Sequence, residues 1–250
     1  DRNLLCHRHV ADMHNQGIEA RPALDLEDAR DCLAIGRIGG KAVDGLGGKC
    51  HHVAGLEKVE CGIEGFLERQ RALRDQIESE PVRFFMRELT PLLDDSRETL
   101  ARLLGASARD VVFVRNATSG VNSVLRSLVF EQGDEILMTD HEYNASANAA
   151  RYVAERSGAR LVVVEIPVPV GSPGEIVDRV MEHVNGRTRL ALFDHITSPT
   201  AIVFPIEELV ARLDARGVDV LVDGAHAPGM LPLELERMGV AYYTGNCHKW

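Results

Sequence analysis

The 250-residue chain carries 28 Lys and Arg against 38 Asp and Glu, a net charge of −10, with 45% hydrophobic residues and a mean hydropathy of −0.10. That balance fits a soluble globular protein and argues against nucleic acid or an anionic membrane as the main partner. No apolar stretch is long enough to span a bilayer, no secretory leader pattern opens the chain, and five cysteines without a CxxC pair predict reduced thiols in a cytoplasmic compartment.

Residues 1–65 contain no Phe, Trp or Tyr and are rich in glycine. A segment of that kind buries little area against its ordering entropy, so it is expected to form a loosely ordered extension. Gly36 to Lys41 resembles a phosphate loop only superficially, because the Walker spacing fails and no apolar strand leads into it. Cys6, His7, His9 and His14, with Cys50, His51 and His52, match no zinc-binding spacing, and no metal is expected.

From residue 66 onward the pattern becomes regular. Phe66 to Glu80 reads as a charged amphipathic helix stopped by Pro81, and Phe84 to Leu104 as further helix, interrupted near Pro91 and ended by Gly105. Six short apolar runs follow: Val111–Val114, Glu135–Met138, Arg160–Ile166, Arg189–Phe193, Val218–Val222 and Val240–Tyr243. Helical stretches lie between them at Thr118–Phe130, Ala145–Ser157, Gly174–Val184, Ile206–Arg216 and Leu233–Met238. Alternating strand and helix predicts an α/β fold of three layers, a mostly parallel sheet covered on both faces.

Ligands of open α/β sheets bind beyond the carboxyl ends of the strands, so the residues just after each run carry the most information. Asn116, Ala117 and Thr118 open a helix whose free N–H groups suit a phosphate; an ordinary helix cap explains them equally well. His141 or Tyr143, after the second run, suits stacking on a flat ring, and either could equally be a packed or surface residue. After the fourth run comes the polar turn from Asp194 to Thr200, with Ser198 in it. The fifth run delivers Asp223 and His226, the sixth Asn246, His248 and Lys249. An acid and an amine at neighbouring strand ends suit pyridoxal phosphate, which takes a lysine for its Schiff base and a carboxylate beside its ring nitrogen. A metal-dependent hydrolase using Asp140, His141, Asp194, His195, Asp223, His226 and His248 is a second reading, and it leaves Lys249 without a role. A non-catalytic remnant of the fold is a third.

Across residues 66–250 these motifs, in this order, resemble the class V aminotransferases among fold-type-I pyridoxal-phosphate enzymes, above all the members similar to isopenicillin N epimerases and cysteine desulfurases. Glu80 to Phe85, Asn116 to Thr118, Asp140 to Asn144, Thr197 to Thr200, Asp223 to Gly229 and Tyr243 to Trp250 carry the resemblance. It implies the large domain of that fold and action on a small-molecule amino acid by epimerisation, transamination or carbon–sulfur lysis. Lys249 would then be the Schiff-base lysine, Asp223 the partner of the ring nitrogen, and His226 a neighbour of the ring oxygen and the lysine. Ala117 (through its backbone) and Thr118, helped by Asn246 and His248, would hold the phosphate. Tyr143 would stack on the ring, with His141 as its substitute, and Ser198 would stand where desulfurases place an Asn. The resemblance also implies a homodimer for the full-length form. Two departures stand out. Cys61 to Gly65 does not match the glycine-rich opening segment of the family, and the sequence stops at Trp250, before the small C-terminal domain. The sequence is therefore expected to be an incomplete large domain with weak or no turnover.

Overall fold

The computed structural model describes residues 63–249, so the expectations for residues 1–62 lie outside the described residues. Helix α1 (Ile63–Ser79) opens this part of the chain, three residues earlier than expected. Pro81 then occupies the first position of a new helical turn, Pro81–Arg83, where its missing N–H costs nothing. A π-helical turn at Phe84–Glu88 leads into α2 (Leu89–Leu104). The interruption expected at Pro91 is absent, since that proline lies in the first turn of α2. The irregularity falls instead at the π turn, closed by the Leu89 N–H on the Phe84 carbonyl. Gly105 ends α2 in the left-handed conformation, with φ of 60°.

The remaining elements alternate as expected: α3 (Ala117–Ser127), β1 (Glu135–Thr139), α4 (Asn144–Ser157), β2 (Arg160–Val164), α5 (Pro173–His183), β3 (Thr188–Asp194), α6 (Ile206–Asp214), β4 (Asp219–Gly224), α7 (Leu235–Met238) and β5 (Tyr242–Gly245). The five strands are all parallel, in the order β2-β1-β3-β4-β5. One run is corrected: Val111–Val114 pairs with no strand among the described residues, and Val112 and Val114 are exposed. The apolar stretch at Val240 also starts its strand two residues late, because Gly239 turns in the left-handed conformation just before it.

Alternation along the strands builds two cores, one on each face of the sheet. Ile136, Met138, Leu190, Leu192 and Leu221 pack with Val121 and Leu125 of α3 and Ala150 and Val153 of α4. Leu137, Ala191, Phe193, Val220 and Val222 pack on the other face with Ile176 and Val180 of α5 and Leu209 and Leu213 of α6. Each fully buried Leu or Phe contributes about 1.5–3 kcal/mol relative to exposure. The register then decides where polar groups emerge. Asp194 of β3, Asp223 of β4 and Thr244 of β5 stand in one row across the strand ends, on the face of α3 and α4. The residues of opposite parity, His195 and Tyr243 among them, turn to the other face.

Candidate active site

A cavity of about 330 Å³ opens at the carboxyl ends of the strands. Asn116, Ala117, Thr118, Tyr143, Asp194 and Ile196 line it, with Ser198, Asp223, Ala225, His226, Asn246, His248 and Lys249 completing the wall. It lies where parallel α/β sheets place ligands.

The N-terminus of α3 forms one wall. Asn116 caps the helix, its side chain accepting the Ser119 N–H at 2.8 Å. The Ala117 N–H donates to Asn246 Oδ1 at 2.8 Å, across 129 residues of sequence. The turn is an ordinary cap, and its residues also line the cavity. The expected role of Ala117 needs adjustment, because its amide is already committed to Asn246. Asn246 serves as the tether of the helix to the end of β5, and Thr118 lines the cavity at the positive end of the helix. Gly120 allows that tether. A Cβ there would stand 2.8 Å from Thr244 Cγ2, so only glycine lets α3 approach β5 so closely.

Asp223 forms the floor at 3% exposure. Its Oδ2 accepts from Ser146 Oγ at 2.8 Å and its Oδ1 from the Ala225 N–H at 3.1 Å, which fix the plane of the carboxylate. Lys249 lies in a short 3-10 turn, Cys247–Lys249, and its Nζ stands 2.8 Å from His226 Nε2. The acid and the amine singled out in the sequence thus face one cavity, with the imidazole in contact with the amine.

Tyr143 is half-exposed on the cavity wall, and its backbone N–H donates to Asp194 Oδ2 at 3.2 Å. Its proposed substitute, His141, is corrected. It is buried, with Nδ1 2.8 Å from Thr200 Oγ1 and Nε2 2.8 Å from the Ile166 carbonyl, and it does not line the cavity. Ser198 does line it.

The metal-hydrolase alternative fails on the same geometry. His141 is engaged away from the cavity, and His195 Nδ1 lies 2.9 Å from Tyr243 Oη on the opposite face of the sheet. Among the described residues no three His, Cys, Asp or Glu side chains converge as a metal-binding group. The Tyr243 ring reaches His195 over Gly224, where a Cβ would stand 2.2 Å from the ring.

Several contributors were not singled out as cofactor residues from the sequence. Asp194 is buried at the cavity, and burial, with the Asp223 charge beside it, pushes its pKa up to about 6. Glu142 lies behind it; burial, then the Asp194 charge, raises its pKa well above the usual carboxylate range. Ser146 orients Asp223. Asp194 is the last residue of β3, so the strand-end rule already pointed to it. Ser146 lies in the first turn of α4, a position that only the packing of α4 on the sheet reveals.

The chain is 39% identical over 183 residues to isopenicillin N epimerase of Streptomyces clavuligerus, covering 73% of this chain and 46% of that protein. It is 35% identical over 220 residues to a probable chloroplastic L-cysteine desulfhydrase of Arabidopsis thaliana, covering 80% and 46%. The chain thus spans about half the length of these curated relatives. A solved structure of a cystine C–S lyase with its product cysteine persulfide superposes with a TM-score of 0.65 at 28% identity, covering 74% of this chain and 50% of that one. A lysine-to-alanine variant of the lyase, with glycine covalently linked to its pyridoxal-phosphate cofactor, gives the same TM-score at 27% identity, covering 74% and 49%. The family model for class V aminotransferases matches residues 76–250, from within α1 to beyond Lys249, and so takes in every strand and every cavity residue described above: the chain belongs to the class V aminotransferases, a pyridoxal-phosphate-dependent family.

Proposed function

We propose that the protein is a pyridoxal-phosphate-dependent enzyme acting on an amino acid, of the epimerase, aminotransferase or desulfurase/lyase type. The observation that carries this reading is the pairing, within one cavity, of Lys249 in contact with His226 and the buried Asp223 with both oxygens oriented. The donor set fits the cofactor: a carboxylate on the floor, an amine at the rim, an aromatic ring on the wall and a helix N-terminus for a phosphate. When bound, pyridoxal phosphate supplies an electrophilic carbon for amines and a ring that withdraws electrons.

The chain's own residues would do the rest. Asp223 would hold a proton at the ring nitrogen, its orientation preset by Ser146 and the Ala225 N–H. His226 Nε2, at hydrogen-bond distance from Lys249 Nζ, would exchange a proton with the amine, so that Lys249 can act as nucleophile or as acid/base. Thr118, at the N-terminus of α3, would meet the phosphate with His248 nearby. Tyr143 would cover one face of the ring and exclude water from it. We also propose that the full-length protein is a homodimer, as the resemblance implies. A reducing, cytoplasm-like compartment suits a sequence whose five cysteines form no CxxC pair. Among the described residues no helix is long and apolar enough to cross a membrane.

The test is absorbance. Purified protein with pyridoxal phosphate should be yellow, borohydride should bleach it, and Lys249→Ala should lose the bleachable band. A colourless protein that retains stoichiometric zinc would overturn the proposal.

A further inference from the structure

Glu142 follows β1 and Asp194 ends β3, and both carboxyls are buried, at 7% and 3% exposure. Each has one oxygen accounted for. Glu142 Oε1 accepts from Thr139 Oγ1 at 3.0 Å, and Asp194 Oδ2 accepts the Tyr143 N–H at 3.2 Å. The other two oxygens, Glu142 Oε2 and Asp194 Oδ1, are fully enclosed and have no hydrogen-bond donor. The Tyr143 N–H that bonds Asp194 belongs to the residue next to Glu142, so the two buried carboxyls are neighbours, and each raises the cost of ionising the other. Two ionised carboxylates cannot satisfy this arrangement, because both only accept, and they repel. One proton between them satisfies both orphaned oxygens at once.

We propose that Glu142 carries that proton on Oε2 and donates it to Asp194 Oδ1, so that the two carboxyls form a singly charged clamp on the main chain of Tyr143. The donors decide which partner keeps the proton. Asp194 accepts the backbone N–H of Tyr143, which favours its charged form. Glu142 has only the Thr139 hydroxyl and faces two carboxylates, Asp194 and Asp223. No proton moves in forming the clamp; a neutral acid donates to an anion, a short and strong kind of hydrogen bond. Through Asp194 the clamp fixes the backbone of Tyr143, and with it the side chain on the cavity wall. Glu142 is thus a positioning residue. Its bearing on the site rests on the function proposed above, but the proton itself does not.

The test needs no cofactor. Infrared spectra of the full chain at neutral pH should show the carbonyl stretch of a buried carboxylic acid. ¹³C-glutamate should shift that band, ¹³C-aspartate should leave it in place, and Glu142→Gln should remove it. The isotope arms keep the test intact even if that variant folds poorly. A spectrum without a glutamate acid band, or a band that follows the aspartate label, would overturn the proposal. A melting series gives a second readout. The wild-type protein must retain the proton on folding, which becomes harder as pH rises, whereas the glutamine variant, whose amide donates the same bond, need not. Glu142→Gln should therefore gain melting temperature relative to wild type from pH 6 to pH 8, by roughly a few degrees per pH unit. A gap that does not change with pH would count against the proton. Failure of cofactor binding would leave both readouts unchanged, so the two proposals fall separately.

Discussion

At the amino ends of β1 and β3, buried acids meet arginines; at the carboxyl ends they meet one another. Arg160 bonds to Glu135, Arg187 lies 3.7 Å from Glu135, and Arg189 Nε lies 3.0 Å from Asp134. Burial alone would raise the pKa of Glu135, but the hydrogen bonds from Arg160 and Asn185 outweigh it and hold the carboxyl below its usual value. At the other end Glu142, Asp194 and Asp223 are held by hydroxyls and backbone N–H groups. Burial and mutual charge push Glu142 and Asp194 upward there. One end balances its charge within the protein. The other keeps an excess of negative charge that a cationic ring would relieve, and such concentrations of shifted carboxyls mark functional sites.

The largest expected effect tests the unbalanced end. Asp223→Asn places an amide where Ser146 and the Ala225 N–H both donate, and removes the charge proposed to face the ring. Cofactor affinity should fall by about 3–4 kcal/mol, roughly a hundred- to a thousandfold, in an equilibrium titration. A variant that binds as wild type would break the comparison.

Next comes His195, which burial lowers to about 4 from its ordinary 6.5. The folded form stays neutral where the unfolded chain binds a proton, so its contribution is full above pH 6.5 and is lost as pH falls toward 4, by roughly 3 kcal/mol. Asp194, pushed up to about 6, acts in the opposite direction: its folded form keeps a proton that the unfolded chain releases, so stability falls as pH rises through that window. His195→Gln should remove the first slope and expose the second in chemical denaturation between pH 4 and pH 6.5.

The smallest effect belongs to the balanced end. In Glu135→Gln the facing arginines remain partly solvated, so unfolding free energy should drop by about 1–2 kcal/mol. Cofactor affinity should stay unchanged. A loss of binding would mean that the two ends are coupled through β1.

Much of this was legible in the sequence, because one rule located both the fold and the site. Five of the six apolar runs marked strands, and the residues after those strands supplied Tyr143, Ser198, Asp223, His226, Asn246, His248 and Lys249 to one cavity, with Thr118 following the remaining run. The rule failed where identity depends on neighbours. Val111–Val114 has strand composition without a pairing partner among the described residues, and composition cannot report a partner. His141 and Tyr143 are two residues apart in one turn, and only the Thr200 hydroxyl and the Ile166 carbonyl decide that the histidine is the buried one. The pairing we propose for Glu142 and Asp194 joins residues 52 positions apart and leaves no mark on local pattern.

The tether between Ala117 and Asn246 has a consequence in time. Of the five strands, β5 is the last to be synthesised, and Asn246 follows it. The N-terminus of α3 and the carboxylate floor can form before that point, whereas the pocket closes only when β5 docks beneath Gly120 and places its asparagine on the helix. Contacts so distant in sequence carry a loop-closure cost that must be met before they stabilise the fold. A cofactor present during synthesis would therefore meet the α3 end of the cavity before it met the lysine.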